Sequence, residues 1–126
     1  MNLIQQTAQK LAWVTSHPEY KSHPLLVPMR MLRWEWHRLR GRPVVLPLSG
    51  FAIQARPSDG MGRLICYFRD GADELFAFMK GYLKPGMTFV DVGANIGYYT
   101  LLAVRLGVSQ VYAFEPQESN FEETSG

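Results

Sequence analysis

The fold is decided by residues 88–97, TFVDVGANIG, in which a short apolar run leads directly into a loop with two glycines. The run Thr88 to Val92 is typical of a parallel strand that is covered on both faces. Apolar residues then recur at helical spacing until Gly107, and a second apolar run follows from Val111 to Phe114. The helical positions are Ile96, Tyr99, Ala103 and Leu106. Because Glu115-Pro116 turns the chain out of the second run, the stretch predicts a βαβ unit.

The loop between the first strand and the helix has the residues that a ligand-binding turn needs. Gly93 and Gly97 allow a sharp bend and let a ligand approach the backbone without meeting a Cβ atom. The N-terminus of the following helix offers N–H groups and a positive dipole end, which suit an anionic group such as a carboxylate. Glu115 ends the next strand, where an acid hydrogen-bonds ribose hydroxyls. The pattern predicts a cofactor that contains a nucleoside.

Two residues of this region distinguish between cofactor classes. A nicotinamide-binding protein is expected to carry G-x-G-x-x-G, and Asn95 stands where the second glycine would admit a pyrophosphate. Asp91 is also unfavourable beside a pyrophosphate, whereas an acid there can brace loop amides or face a cationic amino group. These features favour S-adenosyl-L-methionine. A nicotinamide-dependent Rossmann enzyme stays as the less favoured alternative.

Three motifs together resemble the FkbM-type methyltransferases. They are Pro85-Gly86, FVDVGANIGYYT at residues 89–100 and VYAFEP at residues 111–116, with a dense match over residues 84–121. The resemblance implies an α/β, Rossmann-like methyltransferase fold. It implies methyl transfer from S-adenosylmethionine, usually to a hydroxyl oxygen of a sugar or another metabolite. It further implies a cofactor site lined by Asp91, Gly93, Ala94, Asn95, Gly97 and Glu115.

Other roles at this site follow less directly. Tyr98 comes immediately after the loop, and we predict that it borders the cofactor. No residue is assigned as the catalytic base, and no visible motif requires a metal ion. We expect the acceptor to be a small hydroxylated molecule.

We divide the chain into three segments. Residues 1–42 are predicted to be an N-terminal helical segment, and residues 43–83 a small β-meander with a helix that leads into the core. Residues 84–126 are predicted to be the first βαβ unit of the S-adenosylmethionine-binding domain. Because the family continues past Asn120-Phe121 to complete its sheet, we interpret the chain as a truncated N-terminal fragment with an incomplete parallel sheet. The alternative is a catalytically inactive product or a partner-binding module.

The middle segment is predicted to hold three short antiparallel strands followed by a helix. Turn residues separate the strands, which are Val44 to Leu48, Phe51 to Arg56 and Leu64 to Phe68. Cys66, in the third strand, is expected to be a buried small hydrophobe. The helix is predicted over Ala72 to Leu83, with Asp73 and Glu74 in its first turn.

The N-terminal segment is predicted to hold two helices joined by a loop. The first helix ends near Thr15, and His17-Pro18 and His23-Pro24 then break the pattern, with both histidines expected in solvent. The second helix, Met29 to Arg40, has an apolar stripe of Met29, Leu32, Trp36 and Leu39 beside a stripe of Arg30, Arg33, His37 and Arg40. We expect the apolar stripe to cover the following domain and the arginines to lie in water, with contact to an anionic membrane as a minor alternative.

Composition limits the class of protein. The chain has 126 residues, 47% of them hydrophobic, which suits one domain with a real core. Its net charge is +2, but residues 1–69 hold ten Lys or Arg against three acids; we attribute these to solvated helix faces and expect no nucleic-acid partner. The lone cysteine excludes an intrachain disulfide and suits the cytoplasm. We expect no integral membrane segment and leave the oligomeric state open.

Overall fold

The computed structural model describes residues 2–71 and 74–116, which form a mixed α/β structure with two separate two-stranded sheets. The elements in chain order are α1 (Leu3–Ser16), α2 (Pro18–Ser22), α3 (Leu26–Leu39), β1 (Val44–Leu48), β2 (Phe51–Ala55), α4 (Gly60–Phe68), α5 (Glu74–Tyr82), β3 (Thr88–Val92), α6 (Tyr98–Arg105) and β4 (Gln110–Phe114). A 3₁₀ turn, Arg69–Gly71, follows α4. The predicted helix start at Ala72 and Asp73, and the tail after Pro116, lie outside the described residues.

Strands β1 and β2 form the predicted antiparallel hairpin. Val44 lies opposite Ala55, and Leu46 lies opposite Ile53. All four side chains are buried, whereas the residues between them on each strand face solvent. This alternation is expected of a strand pair with one face on the core. The hairpin therefore forms one side of the main hydrophobic cluster.

The prediction of a third strand is wrong, because residues 64–68 belong to helix α4. Gly62 is buried together with Ile65 and Cys66, which follow it by three and four residues. Residues at these spacings share one face of a helix, whereas a half-buried strand would bury alternate residues. A Cβ atom on Gly62 would stand 2.5 Å from the Cβ of Ala55, so the glycine lets α4 lie directly on the hairpin. A five-residue apolar run is compatible with either period, and packing against the hairpin selects the helix.

Helix α3 packs on the core with the face opposite to the one predicted. Val27 and Trp34 are fully buried, and the Trp34 indole reaches the position where α4 meets the hairpin. The predicted core stripe is instead between 56% and 76% exposed; it consists of Met29, Leu32, Trp36 and Leu39. The expectation that this stripe covers the domain is therefore wrong.

The buried face of α3 also accommodates Arg30, which was expected in water. Its guanidinium donates to Glu19 at 2.9 Å and to the carbonyl oxygen of Tyr67 at 3.0 Å. A charged group is tolerated at the edge of the core when its hydrogen bonds are made there. Arg30 therefore links α2, α3 and α4.

The segment between α1 and α3 contains α2, where the sequence predicts a loop. Pro18 occupies the first helical position, where its missing N–H costs nothing, and His17 Nδ1 accepts the N–H of Glu19 at 3.1 Å. The His17 ring also stacks on Phe68, with ring centroids 3.8 Å apart. The prediction of a solvated His17 is thus wrong, because the imidazole caps a helix and packs on the core.

Strands β3 and β4 pair in parallel, with α6 as the connection between them. Phe89 and Val111 are half-buried on the face that packs towards the core. The other face is between 50% and 82% exposed and consists of Val90, Val92, Tyr112 and Phe114. The predicted βαβ unit is present, but among the described residues the strands are covered on one face and not on both.

Within residues 2–71 and 74–116, no helix has the length and apolar character needed to cross a bilayer.

Candidate functional site

The loop from β3 to α6, residues 93–97, is held by the end of the neighbouring strand. The N–H groups of Gly93 and Ala94 both donate to the carbonyl oxygen of Phe114, at 2.7 and 3.1 Å. The N–H of Gly97 donates to the carbonyl oxygen of Ala94 at 2.8 Å, which closes the loop immediately before α6. Backbone hydrogen bonds within the βαβ unit therefore set the shape of the loop.

Three loop residues adopt left-handed backbone conformations. The φ angles are 83° at Gly93, 52° at Asn95 and 80° at Gly97. Glycine adopts this region without steric cost, and asparagine is one of the few other residues that tolerate it. A Cβ atom on Gly93 would meet nothing within 4 Å, so the backbone there borders open space. The loop thus uses glycine at the two positions where a sharp bend and close approach were predicted.

Glu115 meets the loop at the edge where β3 and β4 end. The N–H of Asn95 donates to Glu115 Oε2 at 2.5 Å. Parallel pairing places Val92 beside Phe114, so the residues that follow these two strand ends are brought together. The structure therefore joins the glycine loop and the acid that the sequence placed twenty residues beyond Asn95.

Asp91 is buried at the end of β3 and has a partner on helix α6. The hydroxyl of Thr100 donates to Asp91 Oδ2 at 2.6 Å. The sequence predicts that Asp91 braces loop amides or faces a cationic group, and it assigns no role to Thr100. A hydroxyl side chain in the first turn of the helix was the available signal. The pair ties the strand to the helix on either side of the loop.

Tyr98 differs from its predicted placement beside the cofactor. Its side chain is 1% exposed and lies in the core, where the ring stacks on Phe76 with centroids 6.3 Å apart. It also contacts Phe51 and Tyr99, at centroid distances of 6.4 and 5.0 Å. Since α6 begins with this residue directed between α5 and β2, Tyr98 supports the loop through packing and offers no surface to a ligand.

An open concavity of about 560 Å³ lies at the carboxyl edge of the parallel strands. It is lined by Val92, Gly93, Ala113, Phe114, Glu115 and Pro116. Apolar walls with a few placed polar groups are typical of small-molecule sites.

A smaller concavity of about 220 Å³ lies between β2 and the start of α6, bordered by Gln54, Gly97 and Thr100 among others. This approach of the hairpin to the loop is not predicted by the sequence.

The comparison with curated proteins finds a methyltransferase. Over 45 residues the chain is 44% identical to ribosomal protein L11 methyltransferase from Thermotoga petrophila, a match that covers 36% of this chain. The matched part corresponds to 17% of the length of that protein. No family model matches the sequence, and no solved structure matches the chain. The similarity supports a methyltransferase in general, a class for which S-adenosylmethionine is the typical cofactor, and it does not support the FkbM-type family in particular.

Proposed function

We propose that this chain carries the S-adenosyl-L-methionine-binding part of a methyltransferase with a Rossmann-like fold. The observation that carries the proposal is the 2.5 Å hydrogen bond from the N–H of Asn95 to Glu115, made beside the open space at Gly93. It joins a glycine loop, a strand-end acid and a concavity at one edge of a βαβ unit. The similarity to a methyltransferase supports the same class by a separate route.

Each residue of the edge has a role in this proposal. Glu115 holds the ribose hydroxyls, because its carboxylate borders the concavity and is oriented by the loop amide. Gly93 leaves room for the nucleoside to lie against the backbone. Asp91 and Thr100 act on the ligand indirectly, since they keep the N-terminal end of α6 in position. That end of a helix favours a carboxylate such as the one in the methionine part of the cofactor.

When bound, the cofactor would supply an electrophilic methyl group; the bond from its sulfur to that methyl would break to leave a neutral thioether, and the proton of the acceptor would pass to water. We propose that the acceptor is a hydroxyl oxygen of a sugar or another small metabolite, as in the FkbM-type proteins, and that the reaction takes place in the cytoplasm. In this scheme the described residues of the chain bind and orient the cofactor.

The first experiment compares two glycines that have the same backbone conformation. Gly93 and Gly86 have φ angles of 83° and 92°, and a Cβ atom on either would meet no protein atom within 4 Å. Alanine therefore introduces similar backbone strain at both positions, but only at Gly93 does the new methyl group enter the space assigned to the ligand. We expect Gly93→Ala to abolish S-adenosylmethionine binding in calorimetry and Gly86→Ala to retain it. Equal affinity for both variants would show that the loop glycine is structural only.

The second experiment tests the acid. Glu115→Ala removes charged hydrogen bonds to the ribose and is expected to weaken S-adenosylmethionine binding by about 1 to 3 kcal/mol. Glu74→Ala, which removes an exposed acid from α5, is the control for the change in net charge. A Glu115→Ala protein that binds as tightly as the control contradicts the ribose assignment. Tight binding of NAD by the unmodified chain would instead favour the nicotinamide-dependent alternative.

A further inference from the structure

Helix α3 presents an apolar line to solvent. Four side chains at helical spacing are 56% to 76% exposed and are here called the α3 stripe: Met29, Leu32, Trp36 and Leu39. They lie on the side of the helix opposite to Val27 and Trp34, which are buried in the core. Four large apolar side chains in one line exceed the scattered exposure that is normal on a soluble surface. The stripe is therefore a candidate contact surface.

Two arginines flank this stripe and have no carboxylate partner among the described residues. Arg40 lies over the Trp36 ring, with its guanidinium carbon 3.9 Å from the ring centroid. Arg33 follows Leu32, and its guanidinium donates to the carbonyl oxygen of Val45 at 3.1 Å. The ion pairs seen in the described part of the chain include those of His23, Arg30 and Arg38.

The acid of α3 does not offset these charges. Glu35 lies to the other side of the stripe and pairs with Arg38, at 2.6 Å between the closest atoms. The edge of the stripe that holds Arg33 and Arg40 is therefore positively charged. The surrounding sequence has the same bias, with ten basic residues against three acids in residues 1–69.

We propose that the α3 stripe binds the surface of an anionic lipid bilayer. A helix that exposes large apolar side chains flanked by arginine lies in the plane of the bilayer interface, with its apolar face among the upper acyl chains. Tryptophan prefers this depth, and arginine extends along the apolar surface to reach lipid phosphates and carboxylates. Trp36 and Arg40 already adopt such a combination in the protein. This inference does not depend on the proposed methyltransferase function.

Charge favours the bilayer over a second copy of the chain. A symmetric pair formed through the stripe would place Arg33 and Arg40 of both copies at one interface, where like charges oppose association. An anionic bilayer has the opposite charge and attracts each basic residue near its surface. The 14 residues of α3 are also too few to span a bilayer, so the helix would lie on it.

The test is co-sedimentation of the purified chain with lipid vesicles. Vesicles of equal parts phosphatidylserine and phosphatidylcholine are expected to bind the protein, and vesicles of phosphatidylcholine alone to bind it at least about tenfold less. Binding to the anionic vesicles is expected to weaken as salt is raised, because the attraction of the arginines is screened. Equal binding to both vesicle types, or no binding to either, overturns the proposal without reference to any variant.

Variants then locate the contact. We expect Leu32→Ser with Trp36→Ser to reduce binding about tenfold or more, and Phe78→Ser, which removes a similarly exposed aromatic ring from α5, to leave it unchanged. Arg33→Ser with Arg40→Ser should also reduce binding, whereas Arg63→Ser with Lys84→Ser removes the same charge from other exposed positions and should have little effect. Equal losses for the arginine variant and its Arg63–Lys84 control would assign binding to net charge alone, and equal losses for the Leu32–Trp36 variant and Phe78→Ser would assign it to exposed apolar surface in general; either result overturns the proposal. A chain that dimerises through Leu32 and Trp36 without binding vesicles would identify a protein interface instead.

Discussion

The two sheets of this protein are equally small but are covered to different extents. Each consists of two strands of five residues. In the hairpin, one face is buried at Val44, Leu46, Ile53 and Ala55 and half-buried at Leu48 and Phe51, and the other faces solvent. In the parallel pair, the face towards the core is only partly buried, and the outer face exposes Val90 and Tyr112 beside each other.

The difference shows that an apolar strand sequence indicates that the strand can be buried, and does not indicate which of its faces is buried. The hairpin needs one partner layer, which α3 and α4 supply. The parallel strands are apolar on both faces and need two layers, of which the described residues supply one. The one buried polar residue of β3, Asp91, is near the carboxyl end of the strand, where Thr100 satisfies it.

The largest expected effect on stability is at the hairpin, where one face lies on the core and the other faces solvent. Leu46→Ala removes a fully buried side chain between the hairpin and its helices and is expected to lower the free energy of unfolding by about 2 to 5 kcal/mol. Val45→Ala, one residue earlier and on the exposed face, should change it by no more than about 0.5 kcal/mol. Urea unfolding followed by circular dichroism measures both. Similar losses for the two variants would mean that the faces of the hairpin are not differently covered.

The outer face of the parallel pair should affect association more than stability. Val90→Thr with Tyr112→Thr removes exposed apolar surface, so the free energy of unfolding should change by less than about 1 kcal/mol. The unmodified chain is expected to self-associate through this face, and the double variant to be more nearly monomeric. Sedimentation velocity at several concentrations distinguishes the two. A strictly monomeric unmodified chain contradicts this prediction.

The smallest expected effect concerns Cys66, which is buried in α4 and whose thiol donates to the carbonyl oxygen of Arg30 on α3 at 3.5 Å. Burial raises the pKa of the Cys66 thiol, while nearby arginines oppose the shift. In the unfolded chain the thiol ionises with a pKa of about 8.5, so above that pH the unfolded state has lost a proton that the folded state keeps. Below a pH of about 8.5 the thiol therefore has no effect on how the free energy of unfolding depends on pH. As the pH rises further, the thiol lowers the free energy of unfolding.

Thermal unfolding between about pH 7 and 10 measures this effect. The melting temperature of the unmodified chain should decline at the alkaline end, and in Cys66→Ala the decline should be smaller, whatever the stability that the variant loses by forming a cavity. Burial also raises the pKa of Tyr67, which leaves some decline in both proteins. Parallel pH profiles for the two proteins would show that the thiol is not shielded from water.

Some features of the fold could be predicted because local interactions determine them. The βαβ unit followed from two short apolar runs around a helical pattern, and the loop from glycines at positions that require positive φ angles. The meeting of this loop with Glu115 also followed, because parallel pairing brings the carboxyl ends of consecutive strands to one edge. The hairpin could also be predicted, from its turn Ser49-Gly50.

Other features depend on contacts between distant residues. Residues 64–68 could form a strand or a helix, and the hairpin beneath them selected the helix because Gly62 allows close approach. Helix α3 has a second apolar line through Val27, Met31 and Trp34, and the sequence alone could not rank it against the α3 stripe.

Packing selected the line that contains Trp34. When Trp34 is buried against α4 and the hairpin, Arg30 can also donate hydrogen bonds to Glu19 and to the carbonyl oxygen of Tyr67. The placement of Tyr98 in the core was decided in the same way, by the rings of Phe51 and Phe76. The sequence by itself thus determined the local conformations, and it determined which strand ends meet. The tertiary structure alone decided which apolar faces are buried, because hydrophobic burial has no direction of its own and follows whatever surface lies opposite.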